Sequence, residues 1–377
     1  MTTFPAIDRL CEIEQAFGCS EENDRLFFEA MRENYLLQLE RQPYLRHLAR
    51  KSGFSPEDLQ DYRDIFRIPP LFVGAMKLHG FVSVSPEQAS MVLTSSGTTG
   101  QKTRAFFDED SLRRLETLAH RAFRDLGYTS ETPAHYFIFN YDPAKAADLG
   151  TAWTAEQKTR FAPAIARHWM IEWDEAESKF IFQPDKWVEE ILKIPAREPV
   201  RFVGFPAFIH QFVQELLKKR PGFQVAPQSF VIAGGGWKNH LGTTMTHREF
   251  ARFIDESIGL PAQNVRDSFG MAEHGVPYPA CRNGVHHVPV YARVAVRDPL
   301  SMAVMPHGRE GLLHLLTPYN TAQANQSVLA TDLAVLGAGC PCGTPGTYIA
   351  SLRRGGLRKH KGCAIAAQQI LNNSGRK

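Results

Sequence analysis

Residues 91–102 read MVLTSSGTTGQK, an apolar run of strand length that stops in a cluster of Ser, Thr and Gly before a lysine. A loop of that composition presents backbone N–H groups and hydroxyls without bulky side chains, which is what a polyphosphate needs. The intervals between Gly97, Gly100 and Lys102 do not fit a Walker A loop, and the stretch is not a dinucleotide fingerprint. On composition alone a surface turn is also open, because such clusters commonly mark loops.

Outward from this loop, apolar runs of strand length alternate with helical patterns: MVLTS then 108–126, HYFIFNY, RFVGF then 206–220, SFVIAGGG then 246–258, and NVRDSFG. That alternation predicts an α/β architecture with mostly parallel strands. Before it, residues 21–50 carry an apolar stripe at helical spacing through Leu26, Phe27, Met31, Tyr35, Leu36 and Leu39. After about residue 280 the texture changes to short strands divided by Pro and Gly: HHVPVYARVAV, GLLHLLTP, SVLATDLAVL and TYIASL. The expected organisation is a helical layer over 1–64, an α/β nucleotide-binding region over 65–280, a β-rich subdomain over 281–350 and a hinge-like tail over 351–377.

Composition narrows the function classes. The chain has 377 residues, 43% hydrophobic and 22% charged, ordinary values for a globular protein. A net charge of +3 implies no nucleic-acid partner. The basic residues crowd locally, in Arg353, Arg354, Arg358, Lys359, His360 and Lys361. The N-terminus has early acids and no long apolar core, and no window suits a membrane span, so the expected location is the cytoplasm. The six cysteines are then expected as thiols or metal ligands, not disulfides.

Three further stretches line up with the loop: SFVIAGGGWK (229–238), DSFGMAEHG (267–275) and SVLATDLAVL (327–336). In order, the four resemble the nucleotide-binding motifs of the adenylate-forming superfamily, over roughly residues 65–365. Within it, GGGWK, FGMAEHGVPYP and RRGGLRKHKGCAI most resemble the acyl-protein synthetases, the fatty-acid-activating component of the bacterial bioluminescence reductase system, with phenylacetate–CoA ligases as relatives. The resemblance implies the large domain of an adenylate-forming enzyme, with ATP in a crevice at the strand ends. The chain stops soon after the hinge region and so lacks the usual C-terminal small domain; acyl-protein synthetases are similarly short.

Activating a carboxylic acid means attack of its carboxylate on the ATP α-phosphate, with fixed donors and a divalent ion neutralising the charge. By resemblance, Ser95, Ser96, Gly97, Thr98, Thr99 and Gly100 hold the β and γ phosphates and Lys102 adds charge. Glu273 meets magnesium. Gly234, Gly235 and Gly236 let the adenine and acyl group approach the backbone, beside Phe269 and Gly270 of the FGMAE motif. Asp332 accepts from the ribose hydroxyls, and Arg354 resembles the hinge-region arginine, although Arg353 stands where the family usually has glycine. Lys238, directly after the glycine turn, either reaches the α-phosphate in place of the missing domain's lysine or is a surface lysine.

The cysteines fall into two groups. Cys340 and Cys342 form a thiolate pair on a turn, and Cys281 with a nearby histidine can complete a closed tetrahedral zinc shell. Phenylacetate–CoA ligase relatives with similar residues carry zinc, and the match favours His286 over His287; free cysteines and exposed histidines are the alternative. Cys363 corresponds to the cysteine that accepts the acyl group as a thioester in acyl-protein synthetases, with Arg358, Lys359 and Lys361 favouring the thiolate. The expected reaction is ATP-dependent formation of an acyl-adenylate from a carboxylic acid, expected to be a fatty acid, with transfer to Cys363 and on to an acyl-accepting protein such as a fatty-acid (acyl-CoA) reductase. A ligase or acyltransferase using CoA or an amine, and a scaffold without turnover, stay open at this point.

Overall fold

The computed structural model describes residues 4–95, 103–237 and 245–355. Its centre is a six-stranded sheet in the order Lys179–Phe182, Ala164–Asp174, Ala134–Tyr141, Val200–Gly204, Phe230–Ala233, Val265–Arg266. All neighbours are parallel except the edge strand Lys179–Phe182, which returns antiparallel. The chain runs outward from Ala134–Tyr141 in one direction and then resumes on its other side at Val200–Gly204. The crevice outside the carboxyl ends at that switch is where open α/β sheets bind ligands. Both inner strands are buried along nearly their whole length, which is why they read as continuous apolar runs without alternation.

The helices follow from local signals. Glu109–Asp125 begins where the Asp108 carboxylate accepts from the Ser111 amide, and buries Leu115, Leu118, Ala122 and Phe123 at helical spacing. His247–Ile258 starts in a capping box of Thr246 and Glu249 and stops at Gly259, whose φ of 66° suits a residue without a β-carbon. Pro206–Lys219 packs Phe212 onto Phe137, Phe139 and Phe202 of the sheet, and Phe208 onto Phe182. Each such side chain contributes about 1.5–3 kcal/mol on burial.

A second six-stranded sheet holds His286–His287, Thr347–Arg354, Ser327–Ala338, Glu310–Leu316 and Arg293–Arg297 in antiparallel order, with Leu71–Phe72 parallel to Ser327–Ala338. The helix Glu21–Arg41 covers it, and Phe27, Met31 and Tyr35 share a core with Leu313, Leu315 and Val328. Buried Asn34 fixes the contact by donating to the carbonyls of Pro318 and Asn320, each at 2.8 Å. Leu36, expected in the apolar stripe, is 39% exposed; the buried face runs through Leu26, Ala30, Asn34 and Leu37 instead.

The fold is thus mixed α/β, with a mostly parallel sheet and a β-rich antiparallel one. The strand Met91–Thr94, expected within the alternating series, pairs antiparallel with Arg104–Phe107 outside the main sheet. Among the described residues there is no C-terminal small domain, and no helix long and apolar enough to cross a membrane.

Candidate active site

The loop that opened the sequence reading is held at its roots. Ser95 N–H donates to the Thr103 carbonyl at 2.9 Å and Thr103 N–H to Ser95 Oγ at 3.0 Å, so the chain leaves and re-enters at one place. Thr103 also donates its hydroxyl to Glu273 Oε1 at 2.7 Å. Glu273 is 6% exposed and, among the described residues, has no cationic partner. Among the described residues its other carboxylate oxygen has no partner, which fits a divalent-ion ligand: a buried carboxylate is stabilised when a cation meets it. A magnesium ion there would be held by Glu273 and would offset charge on bound phosphates. Ser96, Gly97, Thr98, Thr99, Gly100 and Lys102, like Lys238 and Cys363, lie outside the described residues.

Glu273 sits in the turn of a hairpin whose strands Ser268–Phe269 and Tyr278–Pro279 pair antiparallel. The Phe269 and Tyr278 rings stack at 5.9 Å. Behind the turn, His274 is fully buried with Nε2 2.7 Å from the Tyr278 hydroxyl, and burial pulls its ring down to about 3, so it is neutral at physiological pH. Gly275, with φ of 88°, lies so close to the Tyr319 hydroxyl that a β-carbon would stand 1.9 Å from it. The base of the hairpin is tied by Tyr128, whose hydroxyl is 2.8 Å from both the Asp267 and Ala280 carbonyl oxygens.

The glycine turn follows the strand Phe230–Ala233 at the crevice. Gly234 N–H donates to the Gly204 carbonyl at 3.0 Å. Gly235, with φ of 82°, leaves no room for a β-carbon, which would meet the Phe205 ring at 2.8 Å; Gly236 has φ of 70° and open space. Gly234 faces Ser268 and, unexpectedly, Lys158, the last residue of the helix Gly150–Lys158. Gly270, just beyond Phe269, has no near neighbour closer than 3.8 Å to a β-carbon position. On the second sheet, partly buried Asp332 stands opposite Arg354 in the antiparallel register. Arg353, next to it, makes a two-pronged ion pair with Glu310 at 2.5 and 2.7 Å, both side chains being well exposed. Arg353 therefore has a surface partner, while Arg354 lies at the end of the described strand.

The Cys/His cluster is formed, with one correction. The ligand atoms of Cys281, His287, Cys340 and Cys342 lie within 4.8 Å of one another. The histidine is His287, not His286. Both lie on one strand, where successive side chains point to opposite faces. His287 Nε2 is 3.3 Å from Cys342 Sγ, whereas His286 Nε2 points to Asp267 Oδ2 at 3.6 Å. The geometry fits zinc: bonds of about 2.3 Å put two sulfurs of a tetrahedron about 3.8 Å apart. Cys281 Sγ and Cys340 Sγ are 3.8 Å apart. The Asn283 and Thr344 amides each donate to a cysteine sulfur at 3.4 Å, an arrangement suited to thiolates. Burial, with a smaller contribution from His286, lowers His287 to about 4, leaving the neutral ring that ligation requires.

The parallel sheet in this order, beside the antiparallel one, has the fold of the adenylate-forming ligases. Two structures of 2-hydroxyisobutyryl-CoA ligase with 2-HIB-AMP agree with that fold. One, in the postadenylation state, aligns at a TM-score of 0.64 and 18% identity over 91% of this chain and 70% of that one. The other, in the thioesterification state with CoA, aligns at 0.66 and 19% over 90% and 68%. The family profile described as "Acyl-protein synthetase, LuxE" matches residues 4–372, and the chain belongs to that family of AMP-forming ligases, which activate an acid as its acyl-adenylate. Similar full-length relatives are the long-chain-fatty-acid–luciferin-component ligases of Vibrio harveyi, 21% identical over 97% of this chain and 98% of that protein, and of Aliivibrio fischeri, 21% identical over 94% and 91%.

Proposed function

We propose that the protein, working in the cytoplasm, activates a long-chain fatty acid with ATP, receives the acyl group on Cys363 as a thioester and passes it to a protein acceptor, a fatty-acid reductase. The observation that carries the reading is the buried Glu273 carboxylate fixed by Thr103 at the root of the Ser/Thr/Gly loop, two motifs far apart in sequence meeting at one point. A buried carboxylate at the root of a loop rich in Ser, Thr and Gly suits a nucleotide triphosphate with its divalent ion. Gly234, Gly235 and Gly236 then border the adenine and acyl group, Phe269 and Gly270 flank them, and Asp332 with Arg354 receives the ribose. The names of the Vibrio and Aliivibrio relatives support the long-chain acid and the protein acceptor.

In the first half-reaction a carboxylate oxygen of the acid attacks the α-phosphorus and the bond to pyrophosphate breaks. In the second, the Cys363 thiolate attacks the acyl carbonyl and AMP leaves. The two halves separate experimentally. With a labelled long-chain fatty acid and ATP, the wild type should become labelled and release the label to neutral hydroxylamine, as a thioester does. Cys363→Ser should still exchange pyrophosphate into ATP yet remain unlabelled, because an un-ionised hydroxyl without a base is a far weaker nucleophile. Rapid acylation of CoA by a wild type that is never itself labelled would overturn the thioester step.

A further inference from the structure

Lys158 is 7% exposed. A lysine so deep ordinarily faces a carboxylate, because an ammonium removed from water needs opposite charge or a full set of acceptors. Among the described residues Lys158 has neither. Its Nζ donates to Ser268 Oγ at 2.7 Å and lies 5.7 Å from the centroid of the Phe123 ring. The Ser268 hydroxyl donates in turn to the Ala233 carbonyl at 3.1 Å, which leaves its lone pairs toward the ammonium. Among the described residues, at least one of the three ammonium protons therefore has no acceptor.

The place is as informative as the lack of a partner. Lys158 closes its helix beside the carboxyl ends of the parallel strands, between the glycine turn and the FGMAE hairpin. A β-carbon on Gly234 would stand 3.5 Å from Nζ and 3.3 Å from Ser268 Oγ. Glycine therefore keeps side-chain bulk away from the ammonium. Burial lowers the Lys158 pKa to about 8, against the field of Asp267, which raises it. The group is charged at neutral pH and lies within reach of losing that charge just above it.

Building on the acid-activating function above, we propose that Lys158 binds the carboxylate of the incoming acid and then the carbonyl oxygen of the acyl-adenylate. One carboxylate oxygen rests against the ammonium while the other attacks the α-phosphorus; the bond from phosphorus to the pyrophosphate oxygen breaks and pyrophosphate leaves with the electron pair. No proton moves, and Lys158 stays protonated throughout. The oxygen it holds becomes the carbonyl oxygen, whose polarisation favours the thiolate attack that follows. The substrate thus supplies the opposite charge that the described residues around Lys158 do not.

The test is acid-dependent exchange of labelled pyrophosphate into ATP by the wild type, Lys158→Met and Lys158→Arg. Methionine matches the lysine stem and removes a buried charge, so its thermal midpoint should not fall. Its kcat/KM for the acid should drop about a hundredfold, the order seen on removing one preorganised donor, with ATP affinity little changed. The wild-type kcat/KM should decline above about pH 8, since that parameter reports the free enzyme. Lys158→Arg should retain activity further into the alkaline range, because a guanidinium stays charged. The described groups facing the ammonium are Ser268, the Phe123 ring and the field of Asp267, so a lysine of structural role alone would not move that limb. Wild-type kcat/KM in Lys158→Met, or an unmoved alkaline limb in Lys158→Arg, overturns the proposal while wild-type exchange upholds acid activation. A wild type that exchanges with no acid defeats acid activation itself, and this proposal with it.

Discussion

Replacing His287 with alanine should strip a zinc ion from the protein, whereas replacing its neighbour His286 should not. Four ligand atoms of suitable type converge on the site, and only His287 is among them. At free zinc about a thousandfold above its dissociation constant, the ion stabilises the fold by about 4 kcal/mol. An unfolding entropy of about 2.1 cal/mol/K per residue over 377 residues gives about 0.8 kcal/mol/K, so loss of the ion lowers Tm by about 5 °C. His286→Ala removes only a contact to Asp267 at 3.6 Å and should cost about 1 kcal/mol, roughly 1 °C. Elemental analysis of protein purified without chelators, paired with calorimetry, reads both quantities. Cys340→Ser should behave as His287→Ala does, with pyrophosphate exchange preserved. A wild type that is fully folded without metal, or a His286→Ala protein that loses zinc while His287→Ala keeps it, refutes the reasoning.

Glu273→Gln keeps an acceptor for Thr103 but removes the charge, and Asp332→Ala removes the carboxylate opposite Arg354; each should lower pyrophosphate exchange by about a hundredfold without a fall in Tm. Wild-type exchange in either variant would remove that residue from the site. Gly235→Ala combines a left-handed backbone with a β-carbon 2.8 Å from the Phe205 ring, whereas Gly236→Ala carries the backbone penalty alone. Denaturant unfolding should show about 1–2 kcal/mol lost for Gly236→Ala and a further 1–3 kcal/mol for Gly235→Ala; equal losses would contradict the packing.

The elements most legible in the sequence were those whose signals are local. Caps at Asp108 and Thr246 and the apolar runs at 135–141 and 201–205 mark helices and buried strands without knowledge of their neighbours. The strand Ala164–Asp174 has no clear signature in the sequence because Arg167, His168, Glu172 and Asp174 interrupt its apolar character; part of it pairs with the edge strand and is only half-buried. The choice between His286 and His287 depends on the parity of the pleat, which spacing to the cysteines does not reveal. Lys158 was invisible for a related reason. In TAEQK it reads as a solvated residue near a helix end, and only the placement of that end beside Gly234 and Ser268 buries it.

One hairpin joins these features. Ser268 accepts a hydrogen bond from Lys158, Phe269 stacks on Tyr278, Glu273 accepts one from Thr103, and Cys281 enters the Cys/His cluster. Loss of the cluster might then be thought to disturb the whole site, yet the hairpin has a second attachment. Tyr128 is fully buried and its hydroxyl lies against the carbonyls at both ends of the hairpin, Asp267 and Ala280, while Arg266 reaches the same Ala280 carbonyl at 3.4 Å. Those bonds involve no sulfur. The cluster instead pins Cys281 to the 340–342 turn at the far end of the antiparallel sheet. A zinc ion held there would stabilise the junction between the sheets, while Tyr128 ties the hairpin that carries Glu273 and Ser268, so removing a cysteine ligand should lower the melting temperature and leave adenylate formation in place.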